Sequence, residues 1–282
     1  MTKTIIIMYN NQMVDLRQFN KIAPNPIPNP RIVNYLWVNK DVFSANNDEN
    51  ELLCGIPLHY VDVAIQNAQR YPSTDFNLWI DRRFIQDSPT EFFLVSHLYN
   101  QDVTNIKVRD LNEIPSYKND SYFAPESNMP VWNRADLARL LICEHILNEH
   151  RDSIAVYSDF DVNDIGIDTK KFNESLDKFG FIIGATKHVN LFCLENGYFA
   201  FRNTPNSLSL LSSLIENGSS NRQHNDQDDR NSIFYSYRDT IVRHSESYNI
   251  LPITQCLINT LEPCTYQIPI NSDYNGISNP KL

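Results

Sequence analysis

Glycine is scarce in this chain, with 7 residues in 282, about 2.5% against a usual ~7%. The phosphate-cradling patterns G-x-G-x-x-G and G-x-x-x-x-G-K-[ST] are both missing. A glycine-loop nucleotide site is therefore excluded, and any nucleotide must be held another way. Cysteine is thin and unpaired: Cys54, Cys143, Cys193, Cys256 and Cys264 are widely scattered, without a C-x-x-C. That argues against a disulfide framework or a structural zinc site and for reduced thiols in a cytosolic compartment. No apolar run approaches the ~18 residues of a membrane span, and Ile5–Met8 is too short for a signal-peptide core. A run of basic residues is also lacking. Asp and Glu outnumber Lys and Arg by 34 to 24, for a net charge of -10. A surface of that sign repels nucleic acid and anionic membranes, so neither is expected as a partner.

The composition is otherwise that of a globular domain, 41% hydrophobic and 11% aromatic, and the chain is long enough for a sizeable core. Pro24, Pro26, Pro28 and Pro30 alternate, which makes residues 1–31 an extended lead-in. Ile32–Val38 reads as a buried strand. Residues 57–70 place Leu58, Val61, Ile65 and Ala68 on one helical face, with Pro72 as the stop. Phe76–Ile80 is a strand ending at Asp81, Pro89–Leu98 a helix, Thr104–Val108 a strand, and residues 115–130 a loop. Asn133–His150 is the clearest helix, with a wide apolar stripe from Leu137 to Leu147. Strands follow at Ser153–Tyr157, Phe181–Ala185 and Tyr198–Phe201, and a helix begins at Pro205. Residues 217–232 are polar enough for a mobile loop, and 263–282 are irregular. Strands alternating with helices predict one α/β domain over 1–282, with a Rossmann-like, mostly parallel sheet flanked by helices. In such sheets ligands sit at the carboxyl ends of the strands.

One strand end stands out: Tyr157-Ser158-Asp159-Phe160-Asp161. Carboxylates two apart on an extended chain point the same way. They repel each other, and any phosphate, unless a divalent cation lies between them. Oxygen-only ligands favour Mg²⁺ or Mn²⁺. A second D-x-D, Asp226-Gln227-Asp228, lies in the polar stretch and reads as a solvated charge cluster. Upstream, Asp136 and Arg139 share one helix face at i, i+3. Two readings stand open for them: a surface ion pair, or a guanidinium facing a diphosphate with a carboxylate accepting from sugar hydroxyls. Trp37 is open between core and base stacking, His188 between a loop histidine and a functional one, and Glu195-Asn196-Gly197 between an ordinary turn and an acceptor-side carboxylate. Asp81 is a strand-end carboxylate that could contact a nucleotide.

Taken in order, Leu36-Trp37-Val38, Asp136-x-x-Arg139 and Tyr157-x-Asp159-x-Asp161 resemble the motifs of A-type (GT-A) glycosyltransferases among bacterial toxins and effectors. The F-V-W-I, S-D-x-x-R and Y-x-D-x-D elements of the large clostridial glucosylating toxins are similar. Effectors that attach N-acetylglucosamine to arginine carry a comparable order, with a His…Glu-Asn element resembled by His188 and Glu195-Asn196. Their I-P-N-T-S is resembled by Ile268-Pro269-Ile270-Asn271-Ser272, within a segment 263–282 that would close the donor site. The tryptophan that follows in those families has no counterpart here, and Tyr274 is the nearest aromatic.

The resemblance implies a metal-dependent, retaining transferase using UDP-glucose or UDP-N-acetylglucosamine, with a protein side chain as acceptor. It implies a metal on Asp159, Asp161 and Ser272, and donor contacts from Trp37, Asp81, Asp136, Arg139, Tyr157, Asp159 and Asn196. Glu195, Asp159 and His188 would serve catalysis. It also implies action in a cytoplasm, reached in a host by secretion without a cleavable signal peptide. The alternatives are a transferase of surface polysaccharide or lipooligosaccharide synthesis, sharing the donor site, and a sugar- or metal-binding module without turnover.

Overall fold

The computed structural model describes residues 6–9, 12–15, 29–38, 52–53, 55–84, 88–129, 131–160, 162, 164–188, 191–220 and 265–267. The chain divides into two compact units, Met1–Pro30 and Arg31–Leu282. In the first, strands β1 (Ile6–Tyr9) and β2 (Gln12–Asp15) pair antiparallel, so part of the expected lead-in is a hairpin.

In the second unit the elements follow as β3 (Arg31–Trp37), β4 (Leu52–Leu53), β5 (Ile56–Pro57), α1 (Leu58–Arg70), β6 (Asp75–Ile80), α2 (Ser88–Asn100) and β7 (Ile106–Asp110). Next come α3 (Pro115–Lys118), α4 (Val131–Glu149), β8 (Ile154–Ser158), α5 (Lys170–Phe179), β9 (Phe181–His188), β10 (Leu191–Arg202), α6 (Pro205–Ser220) and β11 (Thr265–Gln267). Seven strands form one sheet in the order β11-β9-β10-β8-β3-β6-β7. It is mixed and mostly parallel: β10 alone runs against its neighbours β8 and β9, while the remaining pairs are parallel.

Alternation along the strands sorts side chains to the two faces of the sheet. Ile32, Leu36, Ala155, Tyr157, Phe199 and Phe201 pack with the apolar stripe of α4 and with Leu210, Leu211 and Leu214 of α6. Val33, Tyr35, Phe76, Leu78, Val156, Tyr198 and Ala200 pack with α1, α2 and α5. The result is a three-layer α/β arrangement. Asn34 is the polar exception in the central strand. Its Nδ2 donates to the Val156 carbonyl at 3.0 Å, and its Oδ1 accepts from Asn77 Nδ2 (3.0 Å) and Trp79 Nε1 (2.9 Å). One fully satisfied side chain thus links β8, β3 and β6, as a buried polar group must be satisfied.

Several elements differ from the sequence-based expectation. The stretch 115–130, read as a loop, contains α3 and a short 3₁₀ turn at Ser121–Phe123. Lys170–Phe179, for which no element was expected, is a helix capped by Thr169, whose side chain accepts from the Phe172 amide, and closed by Gly180 at φ 77°. The strands read as Phe181–Ala185 and Tyr198–Phe201 are longer, because β9 and β10 continue past the sheet as an antiparallel ribbon. Residues 217–220, assigned to a polar loop, complete α6. The remainder of that loop, with Asp226 and Asp228, lies outside the described residues.

Candidate functional site

The carboxyl ends of the parallel strands β8, β3 and β6 carry Asp159, Trp37 and Asp81. At the first of these, four side chains meet. The Tyr157 hydroxyl donates to Asp159 Oδ1 at 2.7 Å, and Arg139 Nη2 stands 3.2 Å from the same oxygen. Arg139 Nη1 reaches Asp136 Oδ1 at 3.3 Å, and its guanidinium lies over the Tyr157 ring, 5.1 Å from the centroid. This is no surface ion pair: the Arg139 and Asp136 side chains are only 10% and 15% exposed. Burial pushes the Tyr157 phenol well above its usual range, and the neighbouring Asp159 carboxylate pushes the same way. The phenol therefore keeps its proton and acts as a donor. Asp159 itself is 26% exposed.

A backbone contribution comes from β10. Its register against β9 jumps between Glu195 and Phe199: Glu195 faces Gly184, whereas Phe199 faces the adjacent Ile183. The extra residues form a bulge that brings Gly197 beside the end of β8. The Asp159 amide donates to the Gly197 carbonyl at 2.7 Å. A Cβ at Gly197 would lie 2.7 Å from Asp159 Oδ2. Glu195-Asn196-Gly197 is thus a bulged strand, not the ordinary turn that its Asn-Gly suggests. His188 closes β9, paired with Leu191, instead of standing in a loop.

Trp37 ends β3 and is half-buried. Its ring sits 6.0 Å from that of Tyr60 and 6.2 Å from that of Phe160, and its buried indole N–H has no hydrogen-bond partner among the described residues. Asp81 differs from Asp159 because its carboxylate is enclosed. Arg83 approaches at 2.7 Å with both side chains hydrogen-bonded. The Tyr117 hydroxyl donates at 2.8 Å and Asn112 Nδ2 at 3.2 Å, and the Asp81 side chain has no exposure. Its oxygens are spoken for by the protein.

The structure therefore brings Asp136, Arg139, Tyr157 and Asp159 together. It sets Trp37 on the neighbouring strand beside Phe160 and encloses Asp81 two strands away. The backbones of His188, Glu195 and Asn196 lie in the β9–β10 ribbon. Asp161, Ser272 and Tyr274 lie outside the described residues. Sequence reasoning missed Gly197 as part of this site; the Asn-Gly dipeptide marked a local irregularity without revealing its partner. Among the described residues no three His, Cys, Asp or Glu side chains converge as a metal cluster, and no helix is long and apolar enough to cross a membrane.

No family model matches the chain, and no curated protein matches it. Solved structures do. The chain is similar to a transferase carrying two cysteine-to-serine substitutions, at 15% identity over 87% of this chain and 93% of that one, with a TM-score of 0.46. It is similar to the bacterial N-acetylglucosamine transferase NleB, at 15% identity over 86% and 93%, TM-score 0.41. It is similar also to the PaToxG glycosyltransferase, at 13% identity over 82% and 84%, TM-score 0.41.

Proposed function

We propose that the chain is a metal-dependent, retaining glycosyltransferase of the GT-A type. It would move a hexose or N-acetylhexosamine from a UDP-sugar to a protein side chain. The observation that carries this reading is the Asp136–Arg139–Asp159–Tyr157 cluster at the carboxyl end of β8, a guanidinium between two carboxylates of which one is partly open. Such a strand end is where an open α/β sheet receives its ligand.

The donor set suits a hard divalent cation. It is oxygen-only, and among the described residues no hydrogen bond reaches Asp159 Oδ2, while Oδ1 is held by Tyr157 and Arg139. Asp159, with Asp161 and Ser272, would hold Mn²⁺ or Mg²⁺, which when bound neutralises the charge of the departing UDP. The chain's own groups do the positioning. Tyr157, kept protonated, fixes the Asp159 carboxylate without competing for charge. Arg139 adds a fixed positive charge beside the diphosphate, and Asp136, held by Arg139, orients the sugar through its hydroxyls. Trp37, flanked by Tyr60 and Phe160, offers a face to the uracil. On the acceptor side, Glu195 would orient or deprotonate the incoming side chain, with Asn196 next to it in the chain and His188 four residue pairs further along the ribbon.

The test is a panel of UDP-sugars with Mn²⁺ and a measurement of free UDP. UDP-glucose or UDP-N-acetylglucosamine should release UDP, and EDTA should stop it. Asp159→Ala or Asp161→Ala should lower turnover about a hundredfold or more, the scale of one lost electrostatic stabiliser. No release from any UDP-sugar would overturn the reading.

A further inference from the structure

We propose that Gly197 is a positioning residue for Asp159: its missing side chain is the space that the carboxylate occupies, and any β-carbon there would turn the carboxylate out of its site. The inference rests on the glycosyltransferase reading for its functional consequence, but not for its geometry.

Three contacts define where the Asp159 side chain sits. Oδ1 is held by the Tyr157 hydroxyl at 2.7 Å and by Arg139 at 3.2 Å. On the other side, the β10 bulge presses the Gly197 backbone against it, tied by the Asp159 amide to the Gly197 carbonyl at 2.7 Å. A Cβ on Gly197 would stand 2.7 Å from Oδ2, 3.3 Å from Cγ and 3.6 Å from Cβ of Asp159. The three nearest atoms all belong to the Asp159 side chain, and only the carboxylate oxygen lies within 3.0 Å. The φ of Gly197 is outside the range that strains other residues. The glycine is thus not needed for the backbone, as glycines at positive φ are. It is needed because a functional carboxylate fills the volume that a side chain would take.

The consequence is specific. The backbone around Gly197 is anchored by the pairing of Tyr198 with Ser158 and Phe199 with Tyr157, so an alanine at 197 relieves its clash by rotating the short Asp159 side chain. Rotation draws Oδ1 away from Tyr157 and Arg139. The fold survives and the site does not. A displacement on the order of an ångström at a positioned catalytic group costs about a hundredfold in rate.

The experiment is Gly197→Ala, read three ways. In its crystal structure the Asp159 carboxylate should have left Arg139 and Tyr157 while β8 and β10 superimpose on the wild type; a carboxylate still in place overturns the proposal. Turnover of the UDP-sugar that the wild type accepts, with Mn²⁺, should fall about a hundredfold at unchanged melting temperature, an outcome that a merely structural role would not give. Wild-type turnover in the variant also overturns it. Should Gly197→Ala fail to fold, Gly197→Ala with Asp159→Ala should fold, because the colliding oxygens are gone; a double variant that stays unfolded places the collision elsewhere and overturns the proposal. If the wild type releases no UDP from any sugar, the functional reading falls while the crystal structure still decides the positioning.

Discussion

Asp81 and Asp159 both follow a buried parallel strand, and the fold uses them in opposite ways. Asp159 stays 26% exposed, whereas Asp81 is enclosed by Arg83, Tyr117 and Asn112 with no exposure at all. A buried carboxylate is tolerable only when its charge and lone pairs are answered, and removing it strands its partners. Burial and the Asp81 charge both push the Tyr117 phenol upward, so it remains a donor to that carboxylate. Asp81→Ala should destabilise the fold by about 3 kcal/mol, measured by urea unfolding. UDP affinity below the transition should be little changed; an equal loss of both would make Asp81 a binding residue after all. The difference between the two aspartates was not legible from their strand-end positions. The side chains that hold the Asp159 carboxylate lie within two residues of it or on the conspicuous D-x-x-R helix. Those that hold Asp81 include Asn112 and Tyr117, 31 and 36 residues away, the second inside a stretch whose prolines read as loop.

Among the elements, α4 was the most legible, because its apolar stripe is long and its neighbours supply the rest of the core. It also carries a titrating group six residues beyond Arg139. His145 packs edge-on against Trp79 at 5.9 Å, with Glu149 at 3.2 Å and Arg109 Nη2 at 3.3 Å. Burial pulls its pKa below the usual value near 6.5; the Arg109 charge pulls the same way, while Glu149 and Glu113 oppose it. The folded protein thus resists a proton that the unfolded chain accepts. Stability from this group is fully present above about pH 6.5 and is lost as pH falls below it. His145→Gln should flatten that part of the stability profile, followed by thermal unfolding between about pH 7.5 and 5.5; an unchanged slope would assign the effect to other groups. Less legible was α5, although Phe172, Leu176 and Phe179 fall at i, i+4 and i+7 between the Thr169 cap and the Gly180 stop. The stripe is one residue wide and the helix short, so the Lys, Asn, Glu and Ser residues around it dominate the composition and the segment reads as polar. In β10, Glu195 and Asn196 break the expected alternation at the bulge, so only the regular half was recognisable.

For the whole molecule, strand–helix alternation was sufficient to predict an α/β sheet, mostly parallel. It could not predict that β10 runs the other way, since strand polarity depends on which strands become neighbours and leaves no mark on local pattern. That same arrangement has a consequence for how the molecule assembles. The β9–β10 ribbon joins segments adjacent in the chain, with His188 opposite Leu191, and such hairpins close within microseconds. By contrast, β3 meets β8 across 122 residues, the separation of Asn34 and Val156, and must first meet the entropy of closing that loop. The parts of the candidate site should therefore arrive at different times, Gly197 with an early hairpin and Trp37, on β3, with the late central pairing. Pulsed hydrogen exchange during refolding should protect the β9–β10 amides before those of β3 and β8, and UDP binding should return only with the second group. Simultaneous protection of both would mean that the chain condenses as one unit, with no waiting half-site.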